Sequence, residues 1–313
     1  MSEQRDDRGI RHRLFVTPRP AWPIAVARIL LGFVLLAWSI TLLVDVDVFL
    51  GSDAIVPSDA ADRTFRWLPI ESTGSAVAVL VLLIISSLAV IVGFRPTVFL
   101  LVSFALLVAV QRRNPEILNS GDLIMRDLTL LLALCPTGAA LSIDRVRRFG
   151  RSALFTAADV APWGLRLVQL QMVVVYFFAF WSKSGSSWRD GTAVSTALRL
   201  VDLQRFGQLD LLVDSIPLVA VLTWGTLAVE LALATLLWVK RLRAGLIVVA
   251  ILLHVSIDSL LLVGFFGPAM VAGLMTFLDG TAVDRQVTRW RERRLDEGSR
   301  RGQPEADLRP AAG

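Results

Sequence analysis

Few side chains in this chain are equipped to move a proton, and they are spaced in a way that brings them together. Only two lysines, Lys183 and Lys240, occur among 32 basic residues, and the rest of the positive charge is arginine. Lysine can surrender its proton where arginine cannot, so a lysine beside an apolar segment draws notice. Lys183 ends an apolar run in which Gln169, Tyr176 and Lys183 recur every seven residues. Seven residues are nearly two helical turns, so the three share one stripe. His254 and Asp258 stand four apart in another apolar run and face the same way. Glu230, with Thr223 and Thr226, lies in the run just before it. On consecutive antiparallel helices, Glu230 and His254 would meet at similar depth, close enough to pair. Asp122, Arg126 and Asp127 open a further apolar run, with Asp122 and Arg126 at helical i, i+4 spacing.

Each of these has a plain structural reading beside the chemical one. Lys183 can snorkel to a membrane interface. Glu230 and His254 can simply lock two helices together, and Asp122 and Arg126 can neutralise each other. Arg28, inside the first apolar run, reads as a snorkelling or paired cation. The chemical reading takes Lys183 and His254 as the reacting groups. Tyr176, Glu230, Asp258, Asp122, Arg126 and Asp127 then form a polar cavity around them. Ionisable groups in hydrocarbon are costly and usually face a protein interior or wet cavity.

The elements that must position these groups follow from composition. Of 313 residues, 55% are hydrophobic and 19% are charged, and the charges sit between long apolar stretches. That is the pattern of an all-α, polytopic integral membrane bundle. About eight spans are expected, near 23–44, 75–94, 97–110, 122–141, 163–182, 218–239, 244–263 and 264–278. A basic arm, 1–21, precedes the membrane domain, 22–279, and an Arg-rich tail, 280–313, expected to be disordered, follows it. The first span is too long for the core of a cleavable signal peptide and reads as retained. Pro96 is placed to begin the third span. In the connector after Lys183, Val194, Ala197, Leu198, Val201, Leu209 and Leu212 predict an amphipathic surface helix.

The net charge of +5 is explained by topology rather than by nucleic acid. The basic connectors alternate with acidic ones, so the positive-inside rule puts both termini in the cytoplasm and the chain in the cell membrane. Arg112 and Arg113 are the one exception. The single cysteine, Cys135, and two histidines, His12 and His254, exclude a disulfide and predict no metal site. No phosphate-binding loop or nucleophile elbow occurs. Oligomeric state is not legible.

Several stretches, taken as a set, resemble the horizontally transferred transmembrane (HTTM) domain, the membrane core shared with vitamin K-dependent gamma-carboxylase. They are Ala27–Phe33, Arg113-Asn114-Pro115 through Leu118–Asp122, Val175–Ala179 with Lys183 and Trp188–Gly191, and His254 with Gly264, Phe265 and Met270. The order and spacing agree over roughly residues 20–278. The resemblance implies a lysine base at Lys183 that deprotonates a reduced quinone of the vitamin K or menaquinone type on the extracytoplasmic side. A base of this kind needs a neutral amine, which desolvation favours. The carboxylase has a histidine near the Asn119–Asp122 stretch, and none stands there here. It also carries a large lumenal domain, whereas a short basic tail follows the last span here. These departures point away from glutamate carboxylation. Short bacterial members of the family serve the maturation or export of a secreted peptide. The alternatives to a quinone enzyme are therefore a non-enzymatic partner for such a peptide and a proton-coupled carrier using His254 and Glu230.

Overall fold

The computed structural model describes residues 15–52, 54–57, 68, 70–206 and 213–301. It is a helical bundle. Among the described residues, nine helices carry the architecture: α1 (Trp22–Val44), α2 (Thr73–Val92), α3 (Pro96–Arg113), α4 (Ser120–Ala133), α5 (Trp163–Ser182), α6 (Ile216–Leu236), α7 (Lys240–Leu260), α8 (Phe266–Leu274) and α9 (Gly280–Arg301). Short helices and 3-10 turns join them. A two-residue antiparallel pairing of Arg19–Pro20 with Asp159–Val160 ties the entry of α1 to the α4–α5 connector.

Six helices, α1, α2, α3, α5, α6 and α7, are long and apolar enough to cross a membrane. Lipid satisfies no backbone group, so spanning segments must close their own hydrogen bonds, and helices do. Their outer faces are apolar too. Phe178 and Trp181 on α5 are 60% and 67% exposed and Leu252 on α7 is 60% exposed, as suits surfaces solvated by lipid. Several buried hydroxyls within the helices bond the carbonyl four residues back, as those of Ser39, Ser87 and Thr129 do.

The other two expected spans take a different form. The fourth stops at Ala133 rather than near residue 141, because Pro136 and the turns around it break the helix. The eighth becomes α8, extended by a 3-10 turn to Phe277 and then bent by 83° into α9, so that at most the bent pair adds a seventh candidate. Short as it is, α8 occupies the middle of the bundle and packs on α1, α4, α5 and α7. Small residues permit this. A side chain at Gly273 would strike Met172 of α5, and one at Gly121 would strike the backbone of Phe266.

The ends of the elements follow their sequences. Asn119 and Asp122 form a reciprocal capping box on α4, and Ser72 and Ser75 form one on α2. Pro96 opens α3 as expected. The residues after Gly280, expected to be disordered, are helical as far as Arg301. Asp279 caps this helix through Thr281 and Ala282. Trp22 donates to Asp284, and Phe155 packs on Trp290, so one face of α9 is anchored. The described part of the connector after Lys183 forms two short helices, Ser186–Arg189 and Ala193–Leu198, and a 3-10 turn, Val201–Leu203. Leu209, Leu212 and His12 lie outside the described residues.

Two arginines are placed otherwise than their sequence context suggests. Arg28 does not snorkel. It is fully buried and donates to the carbonyls of Thr137 at 2.9 Å and Leu141 at 2.6 Å, with Ile91 at 3.5 Å. Thr137 and Leu141 lie beyond the end of α4 and Ile91 in the last turn of α2, where helical partners run out. Gly93 makes room: its φ of 70° is left-handed, and a side chain there would meet Arg28 and Ser142. Arg113, half of the exception to the charge rule, is also buried and donates to the carbonyls of Val56 and Gly51. It holds the α1–α2 connector rather than facing solvent.

Replacing Arg28 with Met is expected to leave two strongly bonded carbonyls without donors and to destabilise the protein by roughly 2–3 kcal/mol. Arg28→Lys should not restore it, because one ammonium lacks the fork that spans separate acceptors. Thermal unfolding in detergent measures both. Asp279 is held below the ordinary carboxylate range, chiefly by the Thr281 hydroxyl, with partial burial opposing, and then by the Ala282 and Thr281 N–H groups and Lys240. A lowered carboxylate adds stability that is complete above its unfolded pKa and lost as pH falls through the folded value. The start of α9 should therefore keep full amide protection at neutral pH and lose it below about pH 4. Asp279→Ala should remove about 1 kcal/mol of local stability at neutral pH, read by hydrogen exchange at residues 281–282.

Candidate functional site

Three helices carry the groups that meet. Along α5, Gln169, Tyr176 and Lys183 do share a stripe. Gln169 and Tyr176 are buried, and Lys183 stands just past the last turn as the C-cap. From α6 comes Glu230, and from α7 come His254 and Asp258.

The pairing differs from the one expected between Glu230 and His254. Lys183 Nζ donates to Glu230 Oε1 at 2.8 Å and to the carbonyl of Ala179 at 3.0 Å. It also lies over the Trp188 ring, 5.4 Å from its centre. His254 Nε2 instead meets the Tyr176 hydroxyl at 2.9 Å. With the ring proton on Nδ1 the phenol donates to Nε2, and with it on Nε2 the ring donates to the phenol oxygen and leaves Nδ1 open to accept. Both members of this second pair are almost fully buried, at 2% and 3% exposure. Glu230 also lies within electrostatic reach of Tyr176, so the two pairs are neighbours. The physical reason for the exchange is reach. The long lysine folds back from the end of α5 to a carboxylate on α6, and the histidine then takes the nearer phenol on α5.

Lys183 is thus not at the rim of the bundle. Glu230 lies in the second half of α6, and the chain beyond Lys183 packs back along the first half of that helix. Gly191 is set against Ala220 and Trp224, and the Val194 N–H donates to Thr223 Oγ1. Thr226, on the stripe read from the sequence, is half-buried and bonds its own helix, at the Leu222 carbonyl.

Beside this group a cavity of about 390 Å³ opens between α1, α7 and the start of α8. Its wall is apolar, with Phe33, Val34, Ile251 and Val271, except for His254 and Asp258. Three buried polar atoms of the site have no hydrogen-bond partner: His254 Nδ1, Asp258 Oδ1 and Glu230 Oε2. Buried polar atoms are normally satisfied, and orphans gathered in one place call for a ligand, water or proton. Phe266 closes edge-on against the His254 ring at 5.7 Å between centres. Gly267 leaves the space that the Asp258 carboxylate fills, since any side chain there would collide with it.

The residues from α4 are not part of this group. Asp122 accepts from Trp38 Nε1 at 2.6 Å and from the Asn119 N–H, as a helix cap. Arg126 donates to Gln111 and lies 3.6 Å from Asp127. The expected neutralisation of Asp122 by Arg126 gives way to these bonds, because the cap turns Asp122 back toward its own helix start. Trp38, Gln111, Trp188 and Phe266 contribute to the two clusters and carried no spacing signal. Trp38 alone could have been suspected, as an indole N–H in mid-span needs an acceptor. Among the described residues, no cluster of three or more His, Cys, Asp or Glu side chains forms a metal-binding group.

The family model of the HTTM domain matches residues 17–281, which takes in every one of these groups. The chain belongs to the HTTM domain family. No curated protein and no solved structure matches it. As an HTTM protein with six to seven candidate spans, it is a multi-pass membrane protein whose environment is a lipid bilayer.

If the Lys183–Glu230 bond is a buried ion pair, removing one partner strands the other. Lys183→Met and Glu230→Leu alone should each cost about 3–5 kcal/mol, and the double variant clearly less than their sum. Additive losses in detergent melts would show that the two do not interact.

Proposed function

We propose that this HTTM protein is a membrane enzyme that binds a lipid-soluble substrate, of the reduced quinone class, in the apolar cavity beside His254. The observation that carries the reading is the pair of orphaned polar atoms, His254 Nδ1 and Asp258 Oδ1, on residues that line an otherwise apolar cavity. Its volume is in the range of small-molecule sites. Aromatic and aliphatic walls suit a ring, and two polar groups suit ring hydroxyls.

The residues of the chain then divide the work. His254 and Asp258 orient a hydroxyl group and His254 accepts its proton at Nδ1. The proton on Nε2 passes toward the Tyr176 oxygen, and the phenol proton becomes available to Glu230. Lys183 bonds Glu230 and, as a neutral amine, takes the proton that Glu230 receives, so it is the base at the end of this line. In this arrangement Lys183 acts through Glu230 and Tyr176, because it does not line the cavity. With the basic face of the bundle cytoplasmic, the substrate would enter from the bilayer between α1 and α7.

The test is bound quinone and quinol-driven oxygen uptake in the purified protein. Solvent extraction should recover menaquinone-type lipid from the native chain and much less from Ala37→Trp, which fills the cavity wall. Lys183→Ala should bind quinol yet lower oxygen uptake by about 100-fold or more, the usual worth of a general base. Lys183→Arg should fail as well, since charge without an available amine does not suffice. A protein free of quinone, with Lys183→Ala as active in the cell as the native chain, would sink the reading. Full activity in Lys183→Arg would favour a carrier or a non-enzymatic partner instead.

A further inference from the structure

A second cavity, of about 300 Å³, lies on the opposite, basic side of the bundle and serves none of the chemistry above. It is walled by the chain entering α1, the first turns of α5 and α7, and the bend between α8 and α9. Four cations line it: Arg19, Arg166, Lys240 and Arg243. Among the described residues, the one carboxylate on its wall is Asp279. That carboxylate bonds the Thr281 hydroxyl and two N–H groups at the start of α9 and lies within electrostatic reach of Lys240 and Arg243, so one negative charge faces four positive ones.

The cations are mutually close. Arg19 is within electrostatic reach of both Arg166 and Arg243. Two of them are fixed in place by the fold. Arg166 donates to Gln169 Oε1 at 2.7 Å and lies over Trp238. Arg243 donates to the Leu237 carbonyl at 3.0 Å and to that of Trp238. A pocket that gathers like charges from three separate parts of the chain carries a repulsive cost, which an anion would relieve. The location narrows the anion. Apolar Leu165 and Leu278 line the same cavity, and the pocket lies at the ends of three apolar helices, the level at which lipid head groups sit. Basic pockets between membrane helices on the cytoplasmic side suit phosphate head groups, and guanidinium forks match phosphate oxygens.

We propose that this pocket binds a phosphate-type anion, with Arg19, Arg166, Lys240 and Arg243 as its ligands. Such binding would clamp the starts of α1, α5 and α7 against the α8–α9 bend. It is independent of any quinone chemistry on the other side of the protein.

The experiment is thermal unfolding of the full chain in detergent with added phosphatidylglycerol, phosphatidylcholine or inorganic phosphate. Arg19→Gln/Lys240→Gln is the variant, because neither of these side chains is recruited into the hydrogen bonds that hold Arg166 and Arg243. Phosphatidylglycerol should raise the melting temperature of the native chain by several degrees more than phosphatidylcholine does, and the double variant should lose that excess. Arg19→Lys/Lys240→Arg, which keeps both charges, should retain most of it and guards against a folding defect. A rise with inorganic phosphate, absent in the double variant, with no preference between the lipids, would support a free phosphate over a head group. Equal responses to all three additions, or an excess that survives in the double variant, would overturn the proposal.

Discussion

Everything in this molecule answers to the absence of water in the bilayer. A polar group placed there has to find its partner within the chain, because lipid offers none. The consequences run from the backbone to the side chains. Arg28 spends its guanidinium on carbonyls left over where α2 and the α4 turn end. Arg113 does the same for the α1–α2 connector. Lys183 and Glu230 satisfy each other, and so do Tyr176 and His254. Against that background, some buried polar atoms are left without partners, and three of them, on Glu230, His254 and Asp258, belong to the α6–α7 group.

The two faces of the bundle are built for different things. On one side, α5, α6 and α7 bring together a lysine, two carboxylates, a phenol and an imidazole, of which His254 and Asp258 line an apolar hollow. On the other, the starts of α1, α5 and α7 converge with their cations around a smaller polar one. The link between them is α8. It is too short to span by itself, yet its small residues let α1, α4, α5 and α7 all approach it closely. Phe266 at its first turn touches His254, and the bend after its end leads into α9.

Membership of the HTTM family fits this picture, since the matched residues take in both α1 and α8. The structure alters the way in which the lysine is viewed. A lysine at the rim would be a snorkelling cation. Held against a buried carboxylate in the second half of α6 and over Trp188, it is a half-buried, paired cation. Its charge is then answered by a single partner, and whatever changes that partner reaches the lysine.

The sequence alone determined the membrane class, the six long spans, the stripe of Gln169, Tyr176 and Lys183, and the shared face of His254 and Asp258. These depend on hydropathy and on the 3.6-residue period, which are local and legible. Only the tertiary structure decided who bonds to whom. Four candidate groups on three helices allow several pairings, and the choice between Glu230–His254 and the observed pairs rests on helix register and lysine reach, which no spacing encodes. The same holds for Asp122, whose partners Trp38 and Asn119 come from a distant span and its own cap. It holds for α4 and α8 as well. Their apolar runs look like spans, but a proline break and an 83° bend set where each one stops.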